Sequence, residues 1–168
     1  MRRIVLLGAP GSGKSTQGQK LAEFLGCPWI STGELFRKSE DSEIRERIRT
    51  EKLIDDETTF EILSDALVGV SDAVIDGFPR TRKQAEMALS LGISEVIEID
   101  IPDDEVFNRL SVRGRDQDTP EVIGKRLADY RNMRQEVDEA LTDGGIEIKK
   151  VDGLGTVDEV FNRVKEVL

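Results

Sequence analysis

Short runs of aliphatic residues alternate along the chain with longer segments in which apolar side chains recur every three or four positions. The short runs are rich in valine and isoleucine, as buried strands are, and the longer segments have the period of amphipathic helices. The runs predicted to be strands are Arg3–Leu7, Pro28–Ile30, Ala73–Asp76, Glu95–Ile101 and Ile146–Val151. This alternation predicts an α/β fold in three layers: a five-stranded parallel sheet with helices on both faces and ligands at the carboxyl ends of its strands.

Several predicted helices have recognisable start signals. Thr119 offers a capping hydroxyl before Pro120, which suits the first position of a helix, and the segment from Thr156 to Glu159 has the spacing of a capping box. Residues 39–56 are polar and predict a small helical excursion from the main fold. No internal repeat or proline-rich linker divides the chain, so residues 1–168 are predicted to form a single domain.

The overall charge excludes some classes of partner. Basic side chains number 24 and acidic ones 34, and the resulting net charge of −10 argues against nucleic acid, whose phosphates bind cationic surfaces. No apolar run approaches the roughly 18 residues of a membrane span. We therefore expect a cytoplasmic protein, acting as a monomer, with neither a nucleic-acid nor a membrane partner. The single cysteine, Cys27, leaves no internal disulfide.

Positive charge is concentrated in one segment of this acidic chain. Seven cationic and four anionic side chains lie between Arg109 and Arg134, a balance of +3 that leaves −13 for the rest of the protein. This segment predicts a small, highly anionic ligand. For Arg131 and Arg134 the sequence offers a simpler explanation, a solvent-exposed helix face.

A glycine-rich motif follows the first predicted strand. Residues 8–15 read Gly-Ala-Pro-Gly-Ser-Gly-Lys-Ser, a full match to the phosphate-binding loop, and a helical pattern over Gln17–Leu25 comes next. The alternative is a plain glycine-rich turn between a strand and a helix. In the phosphate-binding interpretation, the backbone N–H groups surround phosphate oxygens, Lys14 reaches the outer phosphates, and a hydroxyl at the helix start meets Mg²⁺. The motif with these flanks predicts a site for a nucleoside triphosphate.

Further segments narrow the ligand. Ser31–Arg37 follows the second predicted strand, and Asp76–Thr81, with Gln84 close behind, follows the third. Arg109–Arg115 contains three arginines, and Arg126 lies near the start of the long helix. Together with the glycine-rich loop, these segments resemble the adenylate kinase family of nucleoside monophosphate kinases, in a short-lid form. The resemblance covers nearly the whole chain, and the string Asp-Gly-Phe-Pro-Arg-Thr at 76–81 is more specific than the loop.

The resemblance implies a P-loop NTPase-like fold and reversible, Mg²⁺-dependent transfer of the terminal phosphoryl group of ATP to AMP, giving two ADP. The residues implied to be catalytic are Lys14, Arg80, Arg113, Arg115 and Arg126. Those implied to bind ATP are Gly11, Ser12, Gly13, Lys14, Ser15, Thr16, Arg109, Arg113 and Gly155. Those implied to bind AMP are Thr32, Arg37, Leu53, Ile54, Gly77, Arg80, Gln84, Arg115 and Arg126. Asp76 is implied to hold Mg²⁺ through water, together with Ser15 or Thr16.

The sequence departs from the family pattern in three places. Members commonly have glycine between the loop lysine and the next threonine, whereas Ser15 precedes Thr16 here, which leaves open which hydroxyl meets the metal. Only Gly114 separates two lid arginines, so the lid at 113–118 is a stub and no zinc is expected. The paired aspartates of the family are replaced by glutamine and aspartate at 117–118. In addition to these departures, the segment from Ser39 to Leu53, within the acceptor-binding excursion at 31–56, is shorter than usual.

Other interpretations remain open at this stage. Gln84 stands three residues after Thr81 and Glu34 three after Ser31, so both pairs could simply be capping boxes. The chain could be a UMP/CMP kinase or a kinase for another small metabolite. It could also be a nucleotide sensor without catalysis, although a sensor has no need for the full set of arginines.

Overall fold

The computed structural model describes residues 1–50, 54–113 and 119–168. Within these ranges one parallel sheet has the strand order β2-β3-β1-β4-β5. The strands are β1 (Arg3–Leu7), β2 (Trp29–Ser31), β3 (Ala73–Asp76), β4 (Ile93–Asp100) and β5 (Ile148–Asp152). The helices are α1 (Lys14–Leu25), α2 (Thr32–Lys38), α3 (Ser42–Arg49), α4 (Asp56–Ala66), α5 (Arg82–Ser90), α6 (Asp103–Arg113), α7 (Pro120–Asp143) and α8 (Val157–Glu166).

Helices cover both faces of the sheet, which is why β1, its central strand, is apolar from Ile4 to Leu7. Val5 and Leu7 of β1 pack on one face against α4, α5 and α7. Ile4 and Leu6 point to the other face and pack against α1 and α8. Successive side chains of a strand point to opposite faces, so every residue in these positions has to be apolar. The predicted three-layer α/β fold is confirmed.

The sequence located every strand, with small errors at some ends. The first and third strands have the predicted bounds, and the other three are displaced by one or two residues. The fifth strand begins after Ile146 because the N–H of Ile146 donates to the carbonyl of Leu141, 3.0 Å away, at the end of α7. That N–H is therefore not available to the sheet.

The predicted helix starts are observed. Thr119 caps α7 by accepting from the N–H of Val122, and Thr156 and Glu159 form a reciprocal capping box at α8. A helix also forms within the polar excursion, where the Asp41 carboxylate caps α3. The first helix begins at Lys14, three residues before the predicted start, so the end of the glycine-rich motif is already helical.

The register of the sheet brings three functional segments to one edge. Asp76, the last residue of β3, pairs with Leu6 of β1 on one side and with Ser31 of β2 on the other. The glycine-rich loop, the segment after Asp76 and the start of α2 therefore leave the sheet next to one another. The strands end together here, and a crevice for ligands is expected at such an edge.

Candidate active site

The glycine-rich loop connects β1 to α1 and ends in a left-handed residue. Gly13 is the N-cap of α1 with φ of 92°, a conformation that side chains of L-residues rarely adopt. The loop turns back on itself through a bond from the Ser12 N–H to the Ala9 carbonyl, 3.1 Å long. The first N–H groups of α1 have no partners within the helix, so the loop presents donors and the positive end of a helix dipole to an anion.

The side chains of Lys14 and Ser15 contact the loop and the last residue of β3. The Lys14 ammonium donates to the Ala9 carbonyl at 3.2 Å, so the side chain lies across the loop. The Ser15 hydroxyl donates to Asp76 Oδ2 at 2.6 Å. Asp76 is only 3% exposed, and its Oδ1 has no hydrogen-bond partner among the described residues. Burial of an unpartnered carboxylate oxygen is costly, which points to a cationic or water ligand there.

The carboxylate and hydroxyl fit Mg²⁺, which binds through one or two protein oxygens and otherwise keeps water and phosphate ligands. Ser15, rather than Thr16, is the hydroxyl hydrogen-bonded to Asp76. The described residues include no group of three or more potential metal-binding side chains, and this mode of Mg²⁺ binding does not require one.

A single cleft of about 760 Å³ joins this loop to several arginines on other elements. The loop and α1 contribute Gly11, Gly13, Lys14, Ser15 and Thr16 to its lining. The arginines that line it are Arg37 of α2, Arg80 after β3, Arg109 of α6, and Arg126 and Arg134 of α7. A guanidinium group can donate two parallel hydrogen bonds to the oxygens of one phosphate, and it stays positively charged. A cleft with several arginines is therefore suited to more than one phosphate group.

Arg80 shares the lining of the cleft with Arg37 and Arg126. Its Nε donates to the carbonyl of Gly77 at 2.8 Å. Partial loss of solvation lowers the pKa of the Arg80 guanidinium, although the residue is still exposed at the open cleft. The Asp76 carboxylate raises this pKa, and the positive charges of Arg126 and Arg37 lower it. Arginine stays charged throughout the physiological pH range. Arg37, Arg80 and Arg126 line the same cleft, so their positive charges repel one another, and an anion between them would relieve that repulsion.

Arg37 is held by a carboxylate on its own helix. It pairs with Glu34 at 2.9 Å, and this hydrogen bond and the positive charge of Arg37 lower the pKa of Glu34. Both side chains are well exposed, so the pair is weak and a phosphate can displace it. The capping alternative for this segment is not observed, because Ser31 makes no side-chain cap bond at α2.

A second cavity of about 300 Å³ opens beside the cleft and shares Phe36, Ile54, Gly77 and Arg80 with it. Gln84 lines this cavity and is only 3% exposed. Its side chain does not bond back to Thr81 as a full capping box would; Oε1 accepts instead from the Arg80 N–H at 2.8 Å.

Thr32, the first residue of α2, is fully buried beside the turn that follows β3. Its hydroxyl lies 3.4 Å from the carbonyl of Asp76. Gly77, with φ of 85°, packs so closely that a Cβ there would come within 2.6 Å of the Thr32 hydroxyl. This contact fixes the turn that leads to Arg80.

Arg109 connects the glycine-rich loop to the loop after β5. Its guanidinium donates to the carbonyls of Ser12 at 3.4 Å and Gly153 at 3.0 Å, while Glu105 accepts from its Nε. Gly155 is exposed two residues beyond Gly153, outside the lining of the cleft. The sequence predictions on Leu53, Gly114, Arg115 and the side chain of Arg113 lie outside the described residues.

The expectation that Arg134 belongs to a solvent-exposed helix face is wrong. Its side chain is only 10% exposed and donates at 2.8 Å to Glu98 of β4, itself 4% exposed. Tyr130 also donates to Glu98, and Asp138 pairs with Arg134. Arg131 is nearer the expectation, since it is exposed and pairs with Asp103.

This ion cluster was missed for a physical reason. Arg134 and Glu98 are 36 residues apart, so no local pattern connects them. The available signal was Glu98 itself, an acidic residue between Ile97 and Ile99 in a strand that β1 and β5 flank. A charge in such a strand needs a partner from a covering helix.

A parallel sheet with a phosphate-binding loop after its central strand, facing several arginines across one cleft, defines a P-loop phosphotransferase. A family model described as adenylate kinase matches residues 6–145. The chain belongs to the adenylate kinase family, whose members are nucleoside monophosphate kinases.

Proteins named adenylate kinase are similar to this chain over almost its whole length. That of Mycobacterium marinum is 40% identical over 181 residues, covering 99% of this chain and 98% of the relative. That of Mycolicibacterium smegmatis is 36% identical, and that of Mycobacterium tuberculosis 38% identical, each with the same coverage of both chains. Among the described residues, no helix is long and apolar enough to cross a membrane.

Proposed function

We propose that this protein catalyses reversible transfer of the γ-phosphoryl group of ATP to AMP, giving two molecules of ADP. The observation that supports this most directly is the composition of the cleft. The glycine-rich loop with Lys14 lies on one wall, and Arg37, Arg80 and Arg126 lie on others. A site for one nucleotide needs only the first set of groups, whereas a donor and an acceptor phosphate need both.

The proposed reaction depends on alignment and charge. An oxygen of the AMP phosphate forms a bond to the γ-phosphorus as the bond from that phosphorus to the β-bridging oxygen breaks, and ADP leaves. The two nucleotides bring on the order of five to six negative charges together, and closely placed cations offset that repulsion. The acceptor oxygen is already ionised, so no general base is needed, in agreement with the absence of histidine from the chain.

We assign the donor side to the loop and to the residues that contact it. Gly11 and Gly13 would direct N–H groups to the phosphates, while Ser12 would keep the loop folded through its N–H bond to the Ala9 carbonyl. Lys14 would move from that carbonyl to phosphate oxygens. The remaining donor residues proposed are Ser15, Thr16, Arg109, Arg113 and Gly155. Ser15 and Asp76 would hold Mg²⁺, Asp76 through water, and the bound ion supplies neutralisation of the phosphate charge.

We assign the acceptor side to the second cavity and the arginines beside it. Gln84 and the apolar wall of Ile54 and Phe36 would receive the base, and Arg37 and Arg80 would bind the phosphate. The remaining acceptor residues proposed are Thr32, Leu53, Gly77, Arg115 and Arg126. Residues 31–56 would thus form the acceptor-binding excursion, and residues 113–118 a minimal lid.

A coupled assay of ADP formation tests the proposal. With ATP and Mg²⁺, turnover should be fastest with AMP, slower with GMP, CMP and UMP, and lost when EDTA removes the metal. A clear preference for CMP or UMP would instead identify a pyrimidine monophosphate kinase. Single-turnover experiments with labelled ATP complete the test, since binding without transfer to any acceptor would identify a nucleotide sensor.

We further propose that the protein acts as a monomer in the cytoplasm. One chain supplies both walls of the cleft, so no second copy is required to complete the site. Both proposed substrates are cytoplasmic nucleotides. Sedimentation of the active enzyme would check the monomeric state.

A further inference from the structure

We propose that Asp56 fixes the orientation of the Gln84 side-chain amide and thereby makes the acceptor site select 6-aminopurine over 6-oxopurine nucleotides. The inference rests on the proposed function, because it takes the second cavity as the site of the acceptor base. It assigns a positioning role to a carboxylate that neither the loop motif nor the arginine set includes.

The position of Gln84 makes it suited to reading a base. It is buried at the start of α5 and lines the cavity of about 300 Å³. That cavity shares Gly77 and Arg80 with the larger cleft, so a nucleotide can place its phosphate at Arg80 and its base beside Gln84. Phe36 and Ile54 add apolar side chains to a lining that is otherwise largely polar, and a planar base can pack against them.

Two contacts hold the Gln84 amide in one orientation. Its Oε1 accepts from the backbone N–H of Arg80 at 2.8 Å, and its Nε2 donates to Asp56 Oδ1 at 2.9 Å. A backbone N–H can only donate and a carboxylate only accept, so these partners identify which end of the amide is oxygen and which is nitrogen. Rotation by half a turn would place two donors together at Arg80 and two acceptors together at Asp56.

Asp56 is itself held in place. The Thr81 hydroxyl donates to the same oxygen, Oδ1, at 2.9 Å, and Thr81 also accepts from the backbone N–H of Gln84 at 3.1 Å. Asp56 is the first residue of α4, which Asp55 caps. The starts of α4 and α5 are therefore linked through three side chains, and Asp56 cannot turn away from Gln84 without losing both of its partners.

The donor and acceptor positions of the amide that these contacts leave unused define the base that fits. A side-chain amide has two N–H donors and two acceptor positions, and the contacts to Arg80 and Asp56 use one of each. The N–H and the acceptor position that remain match adenine, whose N1 accepts and whose 6-amino group donates. Hypoxanthine and guanine present the reverse pattern, a donor at N1 and an acceptor at O6. A buried site built for one pattern discriminates strongly against the other, because mismatched polar groups are left unpaired.

The test compares AMP with IMP, which differs from it only at N1 and C6 of the base. For the wild-type enzyme and for Asp56→Asn and Asp56→Ala, kcat/KM is measured for both acceptors. The Asp56→Asn side chain keeps its size but can offer either an acceptor or a donor to Gln84. We expect the AMP-to-IMP ratio of kcat/KM to fall by roughly tenfold in both variants, the order expected when a hydrogen bond to a charged group is lost. The change should appear mainly in KM.

Glu57→Gln is the matched control. Glu57 lines the same cavity on the next residue of α4 but pairs with Lys83 rather than with Gln84. Its replacement removes one negative charge from the cavity and should leave the ratio unchanged. An equal fall of kcat/KM for both acceptors in the Asp56 variants would overturn the proposal, and so would a wild-type enzyme that uses AMP and IMP equally well.

Binding measurements separate this inference from the proposed reaction. Calorimetric titration of the wild-type protein and Asp56→Asn with AMP and with IMP reports selectivity even if no phosphoryl group is transferred. Selective binding of AMP that is lost in Asp56→Asn supports the role of Asp56 whatever the reaction proves to be. Equal affinity for AMP and IMP in the wild-type protein rejects it, even if AMP is phosphorylated.

Discussion

Individual charged residues in this protein have different effects according to what surrounds them. Lys14 lies across the glycine-rich loop, Arg80 lies among other arginines in the open cleft, and Arg134 is buried against Glu98. The first two groups are the ones that we propose to bind phosphate, and the third is neutralised by the protein itself. Substitutions should therefore separate activity from stability.

Lys14→Met should abolish most activity without unfolding the protein. Loss of one group that stabilises transition-state charge typically lowers kcat by about two to four orders of magnitude. Lys20→Met is the control, because Lys20 is on the same helix but pairs with the exposed Asp158. Steady-state kinetics and a thermal melt of both variants provide the measurement. Near-normal turnover of a folded Lys14→Met protein would refute the phosphate-binding role of the loop.

Ser15→Ala and Thr16→Ala should affect the metal requirement differently. Of these two hydroxyls, only that of Ser15 donates to the Asp76 carboxylate. Ser15→Ala should therefore raise the Mg²⁺ concentration that gives half-maximal activity by roughly tenfold, the cost of losing one oxygen contact to a cation. Thr16→Ala should leave that concentration within about twofold of the wild-type value. Activity titrated with Mg²⁺ at saturating ATP and AMP distinguishes the two hydroxyls, and a larger effect at Thr16 would reverse the assignment.

At the scale of elements, the ion cluster fastens α7 to the sheet beneath the cleft. Burial alone would raise the pKa of Glu98, but the hydrogen bond and charge of Arg134, together with Lys150, lower it below its usual value. Asp138 behaves in the opposite sense, since its burial raises its pKa. The same helix carries Arg126 into the cleft, so its attachment to β4 also positions one of the proposed phosphate ligands.

Arg134→Met should destabilise the fold by about 3–5 kcal/mol at neutral pH, because Glu98 is left as a buried charge without its main partner. Arg131→Met, which removes an exposed pair with Asp103, should cost no more than about 1 kcal/mol. A carboxylate whose pKa is lowered in the folded protein stabilises the fold at pH values above its pKa in the unfolded chain, about 4.3 for glutamate. This stabilisation is lost as the pH falls through the pKa of the folded state. The difference between wild type and Arg134→Met should therefore shrink at acid pH.

Urea unfolding of the three proteins at pH 7 and at pH 4 measures these quantities. A difference for Arg134→Met that stays constant between the two pH values would show that its effect comes from packing rather than from the ion pair.

The sequence predicted those elements best whose cause is local. The glycine-rich loop, the capping residues Thr119 and Thr156 and the positions of the strands, to within two residues, all depend on near neighbours in the chain, and all were located. Long-range pairs were not. Helical spacing placed Arg134 on an exposed face, and only the fold brings Glu98 beside it. Likewise, the sequence offered a capping box as the alternative role for Gln84, whereas the tertiary structure directs its amide to Arg80 and Asp56.

At the scale of the whole molecule, the proposed donor and acceptor sites share one cleft. Two adenosines joined by five phosphates should therefore bind both sites at once. Binding raises the free energy of unfolding with the logarithm of the ratio of ligand concentration to Kd. At a thousandfold ratio the increase is about 4 kcal/mol. The thermal shift produced by this ligand should exceed that produced by ATP or AMP at the same concentration and should fall in Lys14→Met. A shift no larger than that of ATP alone would show that the two sites are separate.

β1 lies at the centre of the sheet although it precedes every other strand in the chain. The contacts beside it, from Arg2 to Asp72 and from Arg3 to Ser94, close loops of 70 and 91 residues. Such long loops must close before their contacts stabilise anything, which slows folding. On a ribosome that adds about 5–20 residues per second, β1 therefore waits on the order of ten seconds for the neighbours that bury it. The phosphate-binding loop is synthesised before β3 and β4, the strands that flank β1. It acquires its structure only after they have formed.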